Sequence, residues 1–549
     1  MKGRALLLAA PLLLSACAPE RPARLPASEA AVVLEPELRG GISTLGGSWV
    51  RRVGPGAGVL VGRFEGRPYE LGLAYGRLNR PRIAMQEGQL DRLFHAVLPN
   101  PIVRFGIRQL SAIRMRRLDR DVPKDLLVTI AGLADGYEPE EPETGWSAYR
   151  RMLDLHALHE LSQRFIDAPG TQYACTGFLA SGQAARGRTL LARNFDFEGG
   201  KVFDDQKLVS VFAEPGKIPY LSVAFGGMIG VVSGFNREGL GVAVNAIAGG
   251  ETASSGEPIT LVLADLLANE RTFDGALERL RRAKVFVSDA ILLADGKTGE
   301  IAVVEKTPRE FQVRRPGPEG WMAVANAART PEVARTADPP EGSSSKERDA
   351  RMEQLVRARA GRLDVPSAVA ILRDKTESSG VDLGPGNRNA IDALIAAHSV
   401  VFDLGARRAW VSAAPHTLGA YVPVDLEAVL ASRRGSELET GAPIPADPFF
   451  TSGGFDRYRE ARRAIVAARR LTREDEDENA AEALRFLEDA HRLSPEFAAA
   501  TALLAERLAR SGARARALAL AEEALVRRPG PEPFLAALRR LADALAKGA

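Results

Sequence analysis

Cysteine is almost absent from this chain. Its 549 residues hold two, Cys17 and Cys175. With Cys17 placed at an export signal, a single thiol remains in the body and no internal disulfide can staple the fold, so stability must come from buried apolar cores. Histidine is scarce as well, at six residues, and the HALHE run at 156–160 lacks the i, i+4 histidine pair of a helical zinc site. The other metal reading, His156 and His159 of that run acting as ligands of a metal-dependent hydrolase, is thereby weakened, and no metal or cofactor is expected. No G-x-S-x-G elbow precedes a histidine pattern, which disfavours a serine hydrolase. Charge of one sign is also lacking: 73 basic minus 70 acidic residues leaves +3. The local arginine clusters, RMRR at 114–117 and REARR around Arg462, read as solvated helix faces, so no nucleic-acid partner is expected.

What is present begins at the N-terminus. Lys2 and Arg4 precede an apolar run, Ala5 to Leu14, which is short for a bilayer span and reads as a secretory signal. The run ends in Leu14-Ser15-Ala16-Cys17. This resembles the lipobox of bacterial lipoproteins and implies residues 1–17 as signal and lipobox, with Cys17 lipidated. Ala18, where an Asp would retain a lipoprotein at the inner membrane, points to the periplasmic side of the outer membrane. More than one acyl chain on Cys17 would make the anchoring stable. The Pro-, Ala-, Glu- and Arg-rich residues that follow read as a tether over 18–57.

Length alone predicts two or three units. Residues 58–174 read as a leader: an apolar strand in GVLVGRF, then helical stretches through DLLVTIAGLADG. Over 175–450 short β-rich runs alternate with Gly, Asn and Asp turns: CTGFLASG, TLLARNFDF, KLVSVFA, YLSVAFG, MIGVVSGF and GVAVNAIA. Helices interrupt them at ITLVLADLLANE and FDGALERLRRA, and again after Asn326. This order predicts an α+β class, specifically a four-layer αββα sandwich. Beyond residue 450 strand formers thin out. Pro495 and Pro529 lie 34 residues apart, each after an Ala-rich helix, and that period matches the tetratricopeptide repeat, giving an all-α tail over 451–549.

A thiol cleaves amides only when a base takes its proton and donors hold the oxyanion. Only His398 and His416 lie downstream of Cys175 within the predicted catalytic domain, and CTGFLASG reads as a strand starting at the thiol, unlike a papain-type helix. Cutting between Ala174 and Cys175 would free an α-amine, with a reference pKa near 8, on the same residue as the thiol. It would supply the base.

CTGFLASG followed by LLARNFDF resembles the opening of the choloylglycine hydrolases and of the acyl-coenzyme A:6-aminopenicillanic acid acyltransferases, both cysteine N-terminal-nucleophile (Ntn) hydrolases. The resemblance implies that Asp196 holds the new α-amine and Arg193 favours the thiolate. SGFNREGLGVAVNA is similar to a family segment in which Asn236 would give a backbone oxyanion donor and Asn245 would shape the pocket. AVANAA implies Asn326 as the side-chain donor of the oxyanion hole. SKERDAR implies Arg348 near the active site, with Arg351 in reserve. The glycine-spaced GRPYELGLAYGRL and the long leader are similar to the acyltransferase branch, in which the precursor cuts itself at the cysteine. The implied function is an autoprocessing amidohydrolase or acyltransferase acting on a small linear amide or related acyl compound. The competing expectation is a silent lipid-anchored scaffold whose tail binds a protein partner.

Overall fold

The computed structural model describes residues 35–114, 118–137, 146–160, 175–339, 343–474, 479–530 and 532–547. Cys17 and Ala174 lie outside them. The first strands are β1 (Glu37–Arg39), β2 (Ile42–Leu45), β3 (Ser48–Val53) and β4 (Val59–Glu65). Four leader helices follow, Pro68–Val97, Pro101–Arg114, Lys124–Tyr137 and Ala148–His156. Next come β5 (Thr176–Ser181), β6 (Thr189–Asp196), β7 (Lys207–Ala213), β8 (Tyr220–Phe225), β9 (Ser233–Asn236) and β10 (Leu240–Ala246). After helices Ile259–Asn269 and Phe273–Arg282 the chain forms β11 (Asp289–Asp295), β12 (Ile301–Lys306), β13 (Phe311–Arg314) and β14 (Trp321–Val324). Helices Ser345–Arg359 and Val365–Leu372 precede β15 (Ala396–Asp403), β16 (Arg408–Ser412) and β17 (Tyr421–Asp425).

These strands make two sheets. One has eleven strands, in the order β1-β2-β3-β4-β7-β8-β9-β10-β11-β12-β13, and the other six, β14-β5-β6-β15-β16-β17. Their facing sides share one core, in which Val209, Val211 and Leu221 of the large sheet meet Leu191, Val400 and Phe402 of the small one. The outer side of the large sheet packs on the leader helices and on Ile259–Asn269. The outer side of the small sheet packs Phe178, Leu190 and Ala192 against Met352, Val356 and Val369 of the helices after β14. Four layers, αββα, are the result, as the alternation of strand and helix text predicts.

The leader is built into this body. β4 pairs in parallel with β7, Leu60 opposite Leu208 through Glu65 opposite Ala213. The long helix Pro68–Val97 crosses Lys124–Tyr137 at a distance only glycine permits. A Cβ on Gly72 would stand 2.0 Å from the Thr129 carbonyl oxygen, and one on Gly132 2.2 Å from that of Tyr69. The glycine spacing of LGLAYG and AGLADG is therefore a helix-crossing device.

Two expectations change. The stretch read as a tether to residue 57 holds three strands, with Trp49 fully buried and its indole N–H donating to the Ser432 carbonyl at 2.9 Å. β1 and β2 carry no buried side chain, so they show none of the apolar alternation by which a strand is read. MIGVVSGF yields a strand only at Ser233–Asn236; before it, Gly230 packs on Thr260, and Val231 N–H donates to the Thr260 carbonyl at 2.8 Å. A loop pinned to a helix replaces the first half.

The tail comprises helices Gly454–Glu474, Ala480–Leu493, Ala498–Arg510, Arg514–Val526 and Glu532–Lys547. Starts at 480 and 514, and at 498 and 532, are each 34 residues apart (514 − 480 and 532 − 498). Its core includes Leu394 and Leu418 of the sandwich, so the tail packs on the body.

Candidate active site

Cys175 stands immediately before β5. β5 and β6 pair antiparallel with Thr176 opposite Asn194, which brings the cysteine alongside Phe195 and Asp196. Gly177 leaves room for the neighbouring strand, since a Cβ there would lie 3.2 Å from the Arg193 Cβ. The thiol is buried and contacts the Asp196 carbonyl at 3.9 Å. No histidine is among its partners in the described residues.

Arg193 is fully buried, and its five N–H groups find five acceptors. Nε donates to Asn245 Oδ1 at 3.2 Å, and one terminal nitrogen donates to the Val232 carbonyl at 2.9 Å and to Ser233 Oγ at 2.7 Å. The other donates to the Val244 carbonyl and to Cys175 Sγ, the latter at 3.4 Å. Four acceptors on or beside β9 and β10 thus aim the remaining N–H at sulfur. The guanidinium also stacks over Phe195, 4.7 Å from the ring centroid.

Arg348 does for the backbone what Arg193 does for the thiol. Also fully buried, it donates to the Cys175 carbonyl at 2.7 Å, to Thr176 Oγ1 at 2.6 Å and to Asn326 Oδ1 at 3.0 Å. The two asparagines are cross-laced: Asn326 Nδ2 donates to the Ala246 carbonyl at 2.8 Å, and Asn245 Nδ2 to the Ala325 carbonyl at 3.1 Å. Cys175 is therefore gripped by two arginines, each held by an asparagine.

Asp196 is 3 % exposed, and its Oδ2 has no hydrogen-bond partner among the described residues. Burial, only partly offset by Arg348 and Arg388, pushes its carboxyl up to about 7. Burial likewise raises the Cys175 thiol, with Arg193 pulling it back and Asp196 pushing it further up. In the uncut chain the sulfur is therefore a thiol at neutral pH, and reaction requires a base.

Asn236 stands apart from this cluster. Its amide donates to the Leu267 and Glu270 carbonyls at 3.0 and 2.9 Å, and its Oδ1 accepts from Leu240 N–H at 3.0 Å. It closes the β9–β10 turn and caps the C-terminus of helix Ile259–Asn269. Asn245, at the far end of β10, is the asparagine that touches Arg193. Arg351, the reserve arginine, pairs with Asp374 at 2.9 Å away from the cysteine. His156 accepts from Ile229 N–H at 3.0 Å and His159 pairs with Asp289 at 2.8 Å. No group of three potential metal ligands occurs among the described residues.

Several contributors were not foreseen: Thr176, Ser233 and His398, whose Nε2 lies 3.0 Å from Ser233 Oγ while its ring packs on Phe195 at 5.0 Å. Burial and the nearby Arg193 charge hold His398 well below the usual histidine range, so it is neutral. Thr176 adjoins the cysteine and was legible in principle. Ser233 and His398 are 165 positions apart and carried no local signal.

The acyl-coenzyme A:6-aminopenicillanic acid acyl-transferase family matches residues 184–415. The matched stretch opens after Cys175 and contains Arg193, Asp196, Asn236, Asn245, Asn326 and Arg348. Over that stretch, which is less than half of the chain, the match supports an enzyme of the hydrolase or acyltransferase type. Among solved structures, the chain is similar to a Caenorhabditis elegans N-acylethanolamine-hydrolyzing acid amidase ortholog, at 18 % identity over 42 % of this chain and 93 % of that one, TM-score 0.33. It is also similar to a variant of conjugated bile acid hydrolase from Clostridium perfringens (13 % identity, 50 % and 98 % covered, TM-score 0.33). Penicillin V acylase from Agrobacterium tumefaciens gives 15 % identity, 50 % and 99 % coverage and a TM-score of 0.32. At these identities and TM-scores none of them bears on substrate. A search of curated proteins finds no match.

Proposed function

We propose that this chain is an autoprocessing cysteine Ntn amidohydrolase or acyltransferase, acting on a linear, non-peptide amide or related acyl compound through an acyl-thioester on Cys175. The observation that carries the reading is the double grip on Cys175, with Arg193 on the sulfur and Arg348 on the carbonyl. A structural cysteine has no need of two buried cations.

In processing, the Cys175 sulfur attacks the Ala174 carbonyl carbon, the C–N bond breaks, and the nitrogen takes up the thiol's proton. Water then hydrolyses the resulting thioester, leaving a carboxylate on Ala174 and a free α-amine on Cys175. In turnover that amine accepts the thiol proton and the thiolate adds to the substrate carbonyl. The amine leaving group departs with the proton, and the acyl group remains on sulfur. Water, or an acceptor amine, then takes the acyl group and restores the thiol. Asp196 binds the new α-ammonium, which gives its unpartnered oxygen a donor. Arg193 stabilises the thiolate. Asn326, whose amide nitrogen donates to the Ala246 carbonyl, keeps a second N–H for a developing oxyanion, while Asn245, with its amide on the Val324 and Ala325 carbonyls, positions Arg193.

Cys17, as a lipidated N-terminus, would hold the enzyme on the periplasmic side of the outer membrane. The helical tail, with its 34-residue spacing, would serve as a tetratricopeptide-like site for a protein partner. The activity reading is tested with a panel of N-acyl amides, assayed with and without amine acceptors. It expects release of amine by the parent and none by Cys175→Ala; equal turnover by both would refute it.

A further inference from the structure

Helix Pro101–Arg114 follows the long leader helix after three residues and leaves an apolar face uncovered. Ile102 is 80 % exposed, Phe105 57 %, and Val103 and Leu110 about half, with Val97 at the end of the preceding helix 61 % exposed. Five large apolar side chains on one hairpin tip form a patch of the kind that marks an interaction surface. The same helix carries Arg104, Arg108 and Arg114 and no acidic residue. Arg108 is bonded to Asp91 at 2.8 Å and lies over Phe94, while Arg104 bonds the Leu98 and Pro99 carbonyls at 2.8 and 2.7 Å. Arg104 and Arg108 are thus fixed within the hairpin that bears the apolar patch.

We propose that this hairpin tip seats on an anionic phospholipid surface, its apolar side chains entering the acyl boundary and its arginines level with the headgroups. A second copy of the chain is the poorer occupant. A two-fold contact would lay the helix against itself and set arginines against arginines. Chain length agrees with a bilayer. Residues 18–34 separate the proposed lipid attachment from the described fold and can reach about 60 Å when extended, so the tip and the anchor can meet one membrane. The position matters to the active site: Gln89, two turns before Val97 on the same helix, lies against Gly200, four residues beyond Asp196. Docking here holds the loop after Asp196 close to the bilayer, where acyl compounds partition.

The test uses the full chain with Phe105→Trp, added to vesicles of phosphatidylcholine with or without phosphatidylglycerol, the acyl chains brominated or not. The expected result is at least twofold quenching of the introduced indole by brominated chains when phosphatidylglycerol is present, weaker quenching without it, and loss of quenching when Ile102→Asp and Val103→Asp are added. Turnover of a water-soluble amide should be the same in all variants, since none of these residues touches the site. A chain that co-floats with the vesicles while its introduced indole is unaffected by bromination overturns the proposal. So does quenching that survives the two aspartates, or a dimer that the aspartates dissociate in the absence of lipid.

Discussion

Asp196 offers the sharpest energetic test, because its protonation is tied to burial. In the uncut chain the carboxyl is raised from 3.8 to about 7. A raised folded pKa means that the native state binds the proton more tightly than the unfolded chain, so the associated stability is present at low pH and is lost as pH climbs toward 7. At 1.36 kcal/mol per unit, a native pKa near 7 against 3.8 unfolded predicts a loss of about 3 kcal/mol between pH 5 and pH 8.5. The measurement belongs in a Cys175→Ala background, where no thiol and no new α-amine intervene. Urea unfolding of Cys175→Ala and of Cys175→Ala with Asp196→Asn, at both pH values, isolates the term, since every other titrating group is common to the two. The asparagine variant should escape most of the loss and become the more stable of the pair at pH 8.5. Identical pH slopes would show that Asp196 ionises freely in the uncut chain, and the account of it as a carboxylate awaiting an ammonium would fail.

Three further outcomes are expected. Arg193→Lys keeps the charge but has three donors for five acceptors, so the donor aimed at sulfur is lost: alkylation of Cys175 by iodoacetamide should shift to higher pH and amide turnover should fall about 100-fold or more, roughly 3 kcal/mol of lost stabilisation. Asn236→Ala removes three hydrogen bonds at the β9–β10 turn and should cost about 2–4 kcal/mol in unfolding while the cysteine still processes; Asn245→Ala also removes three buried hydrogen bonds and should cost a similar amount, but with processing abolished, and equal effects on processing would void the distinction. Gly132→Ala sets a methyl against the Tyr69 carbonyl and should lower the melting temperature by several degrees, whereas Gly106→Ala, with nothing within 4 Å of its added methyl, should not.

The part of the site that reads from sequence is the part fixed by short-range geometry. Cys175, Arg193 and Asp196 sit on one hairpin, so their spacing along the chain is their spacing in space. Asn236 and Asn245 fall in a second hairpin, and choosing between them requires the register that places Gly241 opposite Phe235 and carries Asn245, at the far end of β10, to Arg193. Arg348 and Arg351 share a helix, and only its orientation on β5 decides which one turns inward. The αββα layering was legible because buried strands carry continuous apolar text, whereas β1 and β2 have no buried side chain and passed for a tether. The Ser233–His398 contact, held by strands of different sheets, needed the fold itself.

The central claim is that Cys175 becomes the first residue of a catalytic chain, and intact-mass spectrometry of the purified protein tests it most directly. The account predicts two polypeptides, the second beginning at Cys175, whose masses sum to that of the unprocessed chain plus one water, with Cys175→Ala remaining a single chain without amidase activity. One uncut polypeptide that turns over amides at full rate would contradict it.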